Sequence, residues 1–493
     1  MKDPQRGCSS AADGQAEGPP LWLHPLHTAA DGTSPTPLQI HRLQTSARNF
    51  LDLVDVAMDA VKEYEAALCN STQQVATRHR ISVGGPGLIV HELNDCNRSS
   101  WHIPLRFAEV AHFKAVTTFL VVGQRKESDE QVTDDICMPY GAVWVIGFGN
   151  EALEYADSTL FRLLSRMGTL GAIRLDLADA YDIAENPICT CAFSKVYLAQ
   201  PRALTAARIR KADEDDSKVV AVKIFGLHPD SARIYSAEAA SLMASTQHPN
   251  IMDLHSLFKC PDPVVTDSLC LAMMMDYCSA GDLQQHLSSK GRCGEWRAAE
   301  LMFGLLSALS HLHVRGIVHR YVKTETILLA DDGHPVLCEF GWAASLDDAQ
   351  AMKNRCGSPG YCAPEIMNCE EYGPKVDVFS SGVILYHVLS GQLPFAGPDA
   401  ASILRRTLRC RVNLGLKCFQ DVGLLMKTLI TLLLYKECEV RPDSSTALKH
   451  VLKSYATHLS LQESTVRTYK FLCNSDEAPD VQALTYTHLP CWI

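Results

Sequence analysis

The chain has 493 residues, 47% hydrophobic and 20% charged, with a net charge of −11. That length exceeds one ordinary core and calls for about two to four domains or tails. The acidic balance excludes a general electrostatic grip on nucleic acid or on an anionic membrane. The 19 cysteines are scattered and form no CxxC blocks, the closest spacing being Cys189-Thr190-Cys191. A zinc site is therefore not expected, and free thiols in a reducing compartment are the plain reading. The first residues, MKDPQRGCSS, lack the apolar core of a signal peptide, and no apolar run has the length of a transmembrane segment. Together these predict a cytoplasmic location, with the nucleus also compatible.

Residues 1–45 are rich in Gly, Pro, Ser and Ala and read as a disordered N-terminal tail. Residues 46–79 are expected to hold a helix, because Phe50, Val54, Ala57, Val61, Tyr64 and Leu68 recur four and three apart along one seam. Beyond it come extended runs at Leu88-Ile89-Val90, Thr118–Val122 and Val143–Ile146, separated by turn residues. A helix-like segment with Leu153, Leu160, Leu163 and Leu164 follows. Strands closed by one helix over residues 80–180 resemble a pleckstrin-homology-like domain in architecture, with no motif to support lipid binding. From Ile183 to about residue 455 the chain carries a series of ordered blocks, and residues 456–493 read as a C-terminal tail.

The blocks, in chain order, are Ile188–Tyr197, Ala221-Val222-Lys223, Met275–Leu283, His319–Leu329, Glu339-Phe340-Gly341, Gly357–Glu365, Lys375–Gly382 and Arg441-Pro442. They resemble the eukaryotic Ser/Thr protein kinases, nearest to the calmodulin-dependent-kinase-like branch. The resemblance implies an α+β, bilobal protein-kinase-like fold over residues 183–455, with a β-rich N-lobe and a helical C-lobe holding nucleotide between them. It also implies ATP and Mg²⁺ as cofactors and other proteins as partners, either a partner kinase or a signalling complex.

Residue by residue, the resemblance puts Lys223 on the α- and β-phosphates, paired with a glutamate on the next helix. Glu238 is the candidate, although Ala239 occupies the family's usual slot: either the helix holds an extra residue or the pair is missing. Cys189, Cys191 and Ser194 stand where the family's lid carries glycines, which let backbone approach phosphate closely. Val196 and Ala221 would enclose the adenine, Met275 would be the gatekeeper, and the backbone of Asp276 and Cys278 would meet the adenine edge. Asp282 matches an acid that contacts ribose or a basic peptide.

Tyr321 occupies the position of the catalytic Asp, which takes the proton of the substrate hydroxyl. A phenol ordinarily keeps its proton up to a pH of about 10 and cannot serve as that base. Lys323, which would contact the transferred phosphate, is kept. Thr326 replaces the metal-binding Asn, and Glu339 replaces the metal-binding Asp, with the interval 339 − 321 = 18 unchanged. Asn354 stands where activated kinases carry a phosphorylatable Thr. The losses fall on groups that touch phosphate, metal or the attacking hydroxyl, whereas Glu365, Arg441 and Asp377, which build the fold, remain. The expectation is a pseudokinase acting as scaffold or allosteric regulator, with binding of ATP and Mg²⁺ weakened or absent. The alternative is an active or weakly active ATP-dependent Ser/Thr kinase in which Glu325 or Glu339 covers the missing roles. A third reading is an adaptor recruited to membranes by its N-terminal domain.

Overall fold

A computed structural model describes residues 177–202, 219–226, 230–245, 248–261 and 269–458, together with a set of strands and short flanks between residues 21 and 175. The chain divides into two compact units, Met1–Leu175 and Asp176–Ile493.

In the first unit the strands Leu38–Gln44, Tyr140–Phe148, Thr118–Arg125 and Glu109–Lys114 lie side by side, each antiparallel to the next. Ile173–Arg174 adds in parallel beside Glu109–Lys114, and Leu21–Leu23 pairs with Leu38–Gln44. His79–Gly84, Gly87–Glu92 and Ser100–Pro104 form a separate antiparallel sheet. The three extended runs read from the sequence all fall inside these strands. Two strands also lie in the stretch 1–45 that composition reads as disordered. Their partners are each other and residues 142–148, a long-range ladder that local composition does not register. The helices expected over residues 48–69 and 153–164 lie outside the described residues.

The second unit begins with helix α1 (Leu177–Ala180) and six strands: β1 (Tyr181–Ile183), β2 (Cys189–Thr190), β3 (Ser194–Pro201), β4 (Val220–Phe225), β5 (Leu254–Pro261) and β6 (Leu269–Asp276). Their order is β5-β6-β4-β3-β1, antiparallel throughout, with β2 folded back onto β3. The period-two alternation of β4 sorts its side chains. Val220 and Val222 join Leu177, Ala199, Phe258, Ala272 and Met274 in one apolar cluster. Ala221, Lys223 and Phe225 therefore point to the opposite face. There helix α2 (Ser231–Ala244) covers the sheet, and its buried Tyr235 meets Phe225 edge to face at 5.3 Å.

The rest of this unit is helical: α3 (Leu283–Lys290), α4 (Glu295–Val314), α5 (Lys375–Ser390), α6 (Ala400–Arg409), α7 (Leu424–Leu433) and α8 (Ser444–His458). In α4 and α5 the buried residues run almost continuously round the helix, as befits central helices enclosed by others. Helices α5 and α8 both pack on α4, and α7 packs on α5 and α8. Two small two-stranded sheets carry the loops between the lobes: β7 (Ile317–Val318) pairs with β10 (Ala344–Ser345), and β8 (Ile327–Leu329) with β9 (Pro335–Leu337). This is the β-rich small lobe and helical large lobe expected from the sequence blocks. No helix among the described residues is long and apolar enough to cross a membrane.

The core of this unit holds histidines that should make it acid-sensitive. His248, His311, His319 and His387 are all buried. Burial lowers their affinity for protons, to about 3 at His248 and about 4 at His311, whose rings lie 4.7 Å apart near Arg315. A histidine depressed in the fold is protonated first in the unfolded chain. Its contribution is therefore fully present above the unfolded value of about 6.5 and is lost as pH falls below it. Each such ring adds up to about 1.4 kcal/mol of lost stability per pH unit in that window. Urea unfolding at pH 7.5, 6.0 and 5.0 should show this decline. His311→Leu should make it shallower, because one depressed titrating group is then gone; an unchanged slope would contradict the assignment.

Candidate active-site cleft

Lys223 is 3% exposed, and its Nζ donates to both oxygens of Glu238 at 2.8 Å. The ion pair left open by residue counting is thus formed, and it uses Glu238, while Ala239 is fully buried in the packing. Helix α2 runs unbroken from Ser231 to Ala244 and carries Glu238 on its buried face. Burial is the largest influence on the Lys223 ammonium and pushes its pKa down. The carboxylates of Glu238 and Glu339 more than offset this, and the net shift is upward. An ammonium bridging both oxygens is the contact of an ionised carboxylate, so the pair is carried charged.

Glu339 lies 3.1 Å from the same Nζ. Its backbone is left-handed, at φ 66°, and opens the short turn Phe340–Trp342. Phe340 is fully buried and packs edge to face on His319 at 4.7 Å. This places the Glu339 carboxylate beneath the small lobe, against Lys223.

The loop carrying Tyr321 is fixed from below. Asp377 at the start of α5 accepts from the backbone N–H of His319 and of Arg320, each at 2.8 Å, and His313 Nε2 lies 3.0 Å away. Burial alone would raise the Asp377 carboxyl, but these contacts hold it below the ordinary carboxylate value. On this support the Tyr321 ring faces Lys323, whose Nζ sits 4.7 Å from the ring centroid, and Trp342, 6.3 Å away. Lys323 Nζ is also 3.5 Å from Glu325, itself an acceptor for Thr324 Oγ1.

Thr326 is 1% exposed. Its hydroxyl accepts from Lys323 N–H at 3.1 Å and directs its proton at the carbonyls of Tyr321 and Lys323, 3.1 and 3.0 Å away. The side chain is thereby turned into its own loop.

In the lid, Cys189 pairs across from Val196, and Cys191 N–H donates to Ser194 O at 2.8 Å. Cys189, Cys191 and Ser194 all keep ordinary negative φ, so the hairpin forms without glycine's freedom. The two thiol sulfurs are 3.8 Å apart. Burial, and then the charge of Glu339, push the Cys191 thiol up to about 12. At the hinge, Met275 sits opposite Ala221, and Met275, Ala221 and Cys278 are buried. The Asp276 carboxylate meets His255 Nε2 at 3.1 Å, and Asp282 caps α3 by accepting from Gln285 N–H at 2.8 Å.

At the activation segment, Arg320 is met by backbone carbonyls and a tyrosine hydroxyl. Arg320 donates from Nε to Trp342 O at 2.7 Å and from Nη1 to Ala351 O at 2.6 Å. Tyr372 Oη lies 2.7 Å from Asn354 O and 2.9 Å from Ala351 O.

With this geometry in view, the comparison with known proteins is decisive: the protein kinase domain matches residues 205–452. The chain belongs to the protein kinase family. Its kinase domain is 31% identical over 221 residues to serine/threonine-protein kinase PEPKR2 of Arabidopsis thaliana, covering 45% of each chain. It is 37% identical over 180 residues to probable serine/threonine-protein kinase 2 of Plasmodium falciparum, covering 36% of this chain and 34% of the relative. With human calcium/calmodulin-dependent protein kinase type IV it shares 31% identity over 253 residues, covering 50% of this chain and 52% of the relative. The chain thus spans about a third to a half of the length of these relatives.

Kinases of this family use ATP with Mg²⁺. In this kinase domain the two positions that would hold the metal carry Thr326 and Glu339. Mg²⁺ demands near-octahedral oxygen ligands with little tolerance. Here Thr326 Oγ1 is turned onto carbonyls of its own loop, and the Glu339 carboxylate lies 3.1 Å from Lys223 Nζ. The apolar wall of Val196, Ala221, Met275 and Cys278 is compatible with an adenine ring. Sequence reasoning named each of these positions as candidates. It missed that Arg320 is engaged by carbonyls and that Thr326 turns inward, because neither follows from residue type.

Proposed function

We propose that this kinase-family chain is a pseudokinase, a domain that works by presenting a fixed bilobal surface to protein partners and transfers phosphate poorly or not at all. The observation that carries this reading is the pairing of Tyr321 at the base position with a buried, self-satisfied Thr326 at the metal position. Phosphoryl transfer is mostly positioning and electrostatic stabilisation, so losing base and metal together removes most of what the family supplies. The relatives are named as kinases, and what this chain shares with them is the domain. The structural parts are kept: Asp377 under the loop, Glu365 with Arg441, and an activation segment tied down through Arg320 and Tyr372. With Arg320 already engaged by neutral carbonyls, the segment needs no phosphate on that arginine to order it, which suits a scaffold whose surface is constant.

A second reading, a weak Ser/Thr kinase, is favoured by the intact Lys223–Glu238 pair, which active kinases require. Thermal unfolding with millimolar ATP separates the two at the binding step. On the pseudokinase reading, any stabilisation by ATP is the same with Mg²⁺ as with EDTA. A shift that appears only when Mg²⁺ is added would favour the weak kinase.

A further inference from the structure

The lid holds a feature that neither phosphoryl transfer nor scaffolding explains. Cys189 and Cys191 flank Thr190 at the tip of the β2–β3 hairpin, and their sulfurs are in van der Waals contact at 3.8 Å. Residues two apart on a strand point to the same side, and Cys191 lies just past the end of β2, where the chain bends toward β3. A disulfide requires the sulfurs to close to about 2.05 Å, with Cα atoms no more than about 6.8 Å apart. Two residues of extended chain span at most about 6.6–6.8 Å, so the bond is within reach of a small bend at Thr190. Cys189 is exposed and Cys191 half-buried. The pair stands where the family's lid has glycine, close enough to Glu339 and Lys223 for both charges to act on Cys191.

We propose that Cys189 and Cys191 form an oxidation site, at which a hydroperoxide converts the two thiols into an intrachain disulfide across the tip of the lid. The exposed sulfur reacts first. Cys189 loses its proton, its sulfur attacks one peroxide oxygen, the O–O bond breaks, and hydroxide leaves to give a sulfenic acid. The Cys191 sulfur then attacks that sulfur. The S–S bond forms, the S–O bond breaks, and the departing hydroxide takes the Cys191 proton as water. In balance, two thiols are oxidised by two electrons and one hydrogen peroxide is reduced to two waters. The second step needs the two sulfurs to close from 3.8 Å to bonding distance, so the sulfenic acid passes through a transient maximum. The ring closed by one intervening residue is too small to constrain the unfolded chain much. Its effect is local: it stiffens the lid above Lys223, and it does so whether or not the domain transfers phosphate.

The full chain permits a clean test, because Leu175–Lys195 is a tryptic peptide that carries these two cysteines and no other. Reduced protein is desalted, treated with equimolar hydrogen peroxide, and digested without reductant. The peptide is expected to lose two hydrogens as its main product and to regain them with dithiothreitol. Dimedone added early should trap Cys189, and dimedone added late should trap little. In Cys191→Ser, dimedone should trap Cys189 at all times. Persistent dimedone capture in the native protein, linkage of either cysteine to a different peptide, or an unmodified peptide would each overturn the proposal.

Discussion

Replacing Glu365 by Ala is expected to lower the stability of the kinase domain by about 3–5 kcal/mol, the usual cost of removing one partner from a buried ion pair. The Arg441 guanidinium is fully buried and binds both Glu365 oxygens, Nη1 at 2.7 Å and Nη2 at 3.2 Å. It also donates to the carbonyls of Lys375 and Tyr435 and lies over the Phe379 ring at 5.0 Å. Those neutral contacts remain in the variant but leave a charge in the core without its counterion. Chemical unfolding monitored by circular dichroism would show the loss as a lower midpoint at unchanged slope. Pairing Glu365→Leu with Arg441→Met should recover part of it, since no buried charge is then stranded. A drop below about 1 kcal/mol for Glu365→Ala would place the pair among exposed bridges and contradict the geometry.

The second large effect concerns chemistry. Tyr321→Asp alone is expected to leave phosphate transfer at background. A well-placed general base contributes about 10²–10⁴ in rate, but only where nucleotide and metal are already positioned. In this cleft the other parts stay displaced. Thr326 is locked to the Tyr321 and Lys323 carbonyls, Glu339 stays on Lys223, and the lid still lacks its glycines. The introduced carboxylate would also meet Lys323, whose ammonium now lies over the tyrosine ring. Adding Thr326→Asn and Glu339→Asp to Tyr321→Asp should give a measurable rise over the single variant in a peptide kinase assay. Robust turnover by the single variant would show that the other substitutions matter little.

Much of the fold was legible because kinase blocks are long and ordered, and the interval from Tyr321 to Glu339 fixes the alignment without slippage. Buried Asp377, Glu365 and Arg441 sit where those blocks place them, since charges in a core need fixed partners. Counting left the Lys223 partner open between Glu238 and no pair, and the contact is made by Glu238. The inward turn of Thr326 was not legible either, because a threonine can point to a metal or to its own loop, and only the surrounding backbone decides. Likewise, Asn354 marked a missing phosphate site, but not that the Ala351 carbonyl and the Tyr372 hydroxyl would hold Arg320 instead. In the N-terminal unit Leu38–Gln44 pairs with residues about a hundred positions away and Leu21–Leu23 pairs with Leu38–Gln44, which a compositional reading averages away.

The central claim is that a phenol and a buried hydroxyl stand where the reaction requires an anionic base and a metal ligand. The direct measurement is transfer of radiolabelled phosphate from ATP to protein and peptide acceptors by the purified chain, beside a Lys223→Met variant prepared in parallel. The account predicts equal, background-level incorporation by both. Incorporation by the native chain that disappears with Lys223→Met would contradict it.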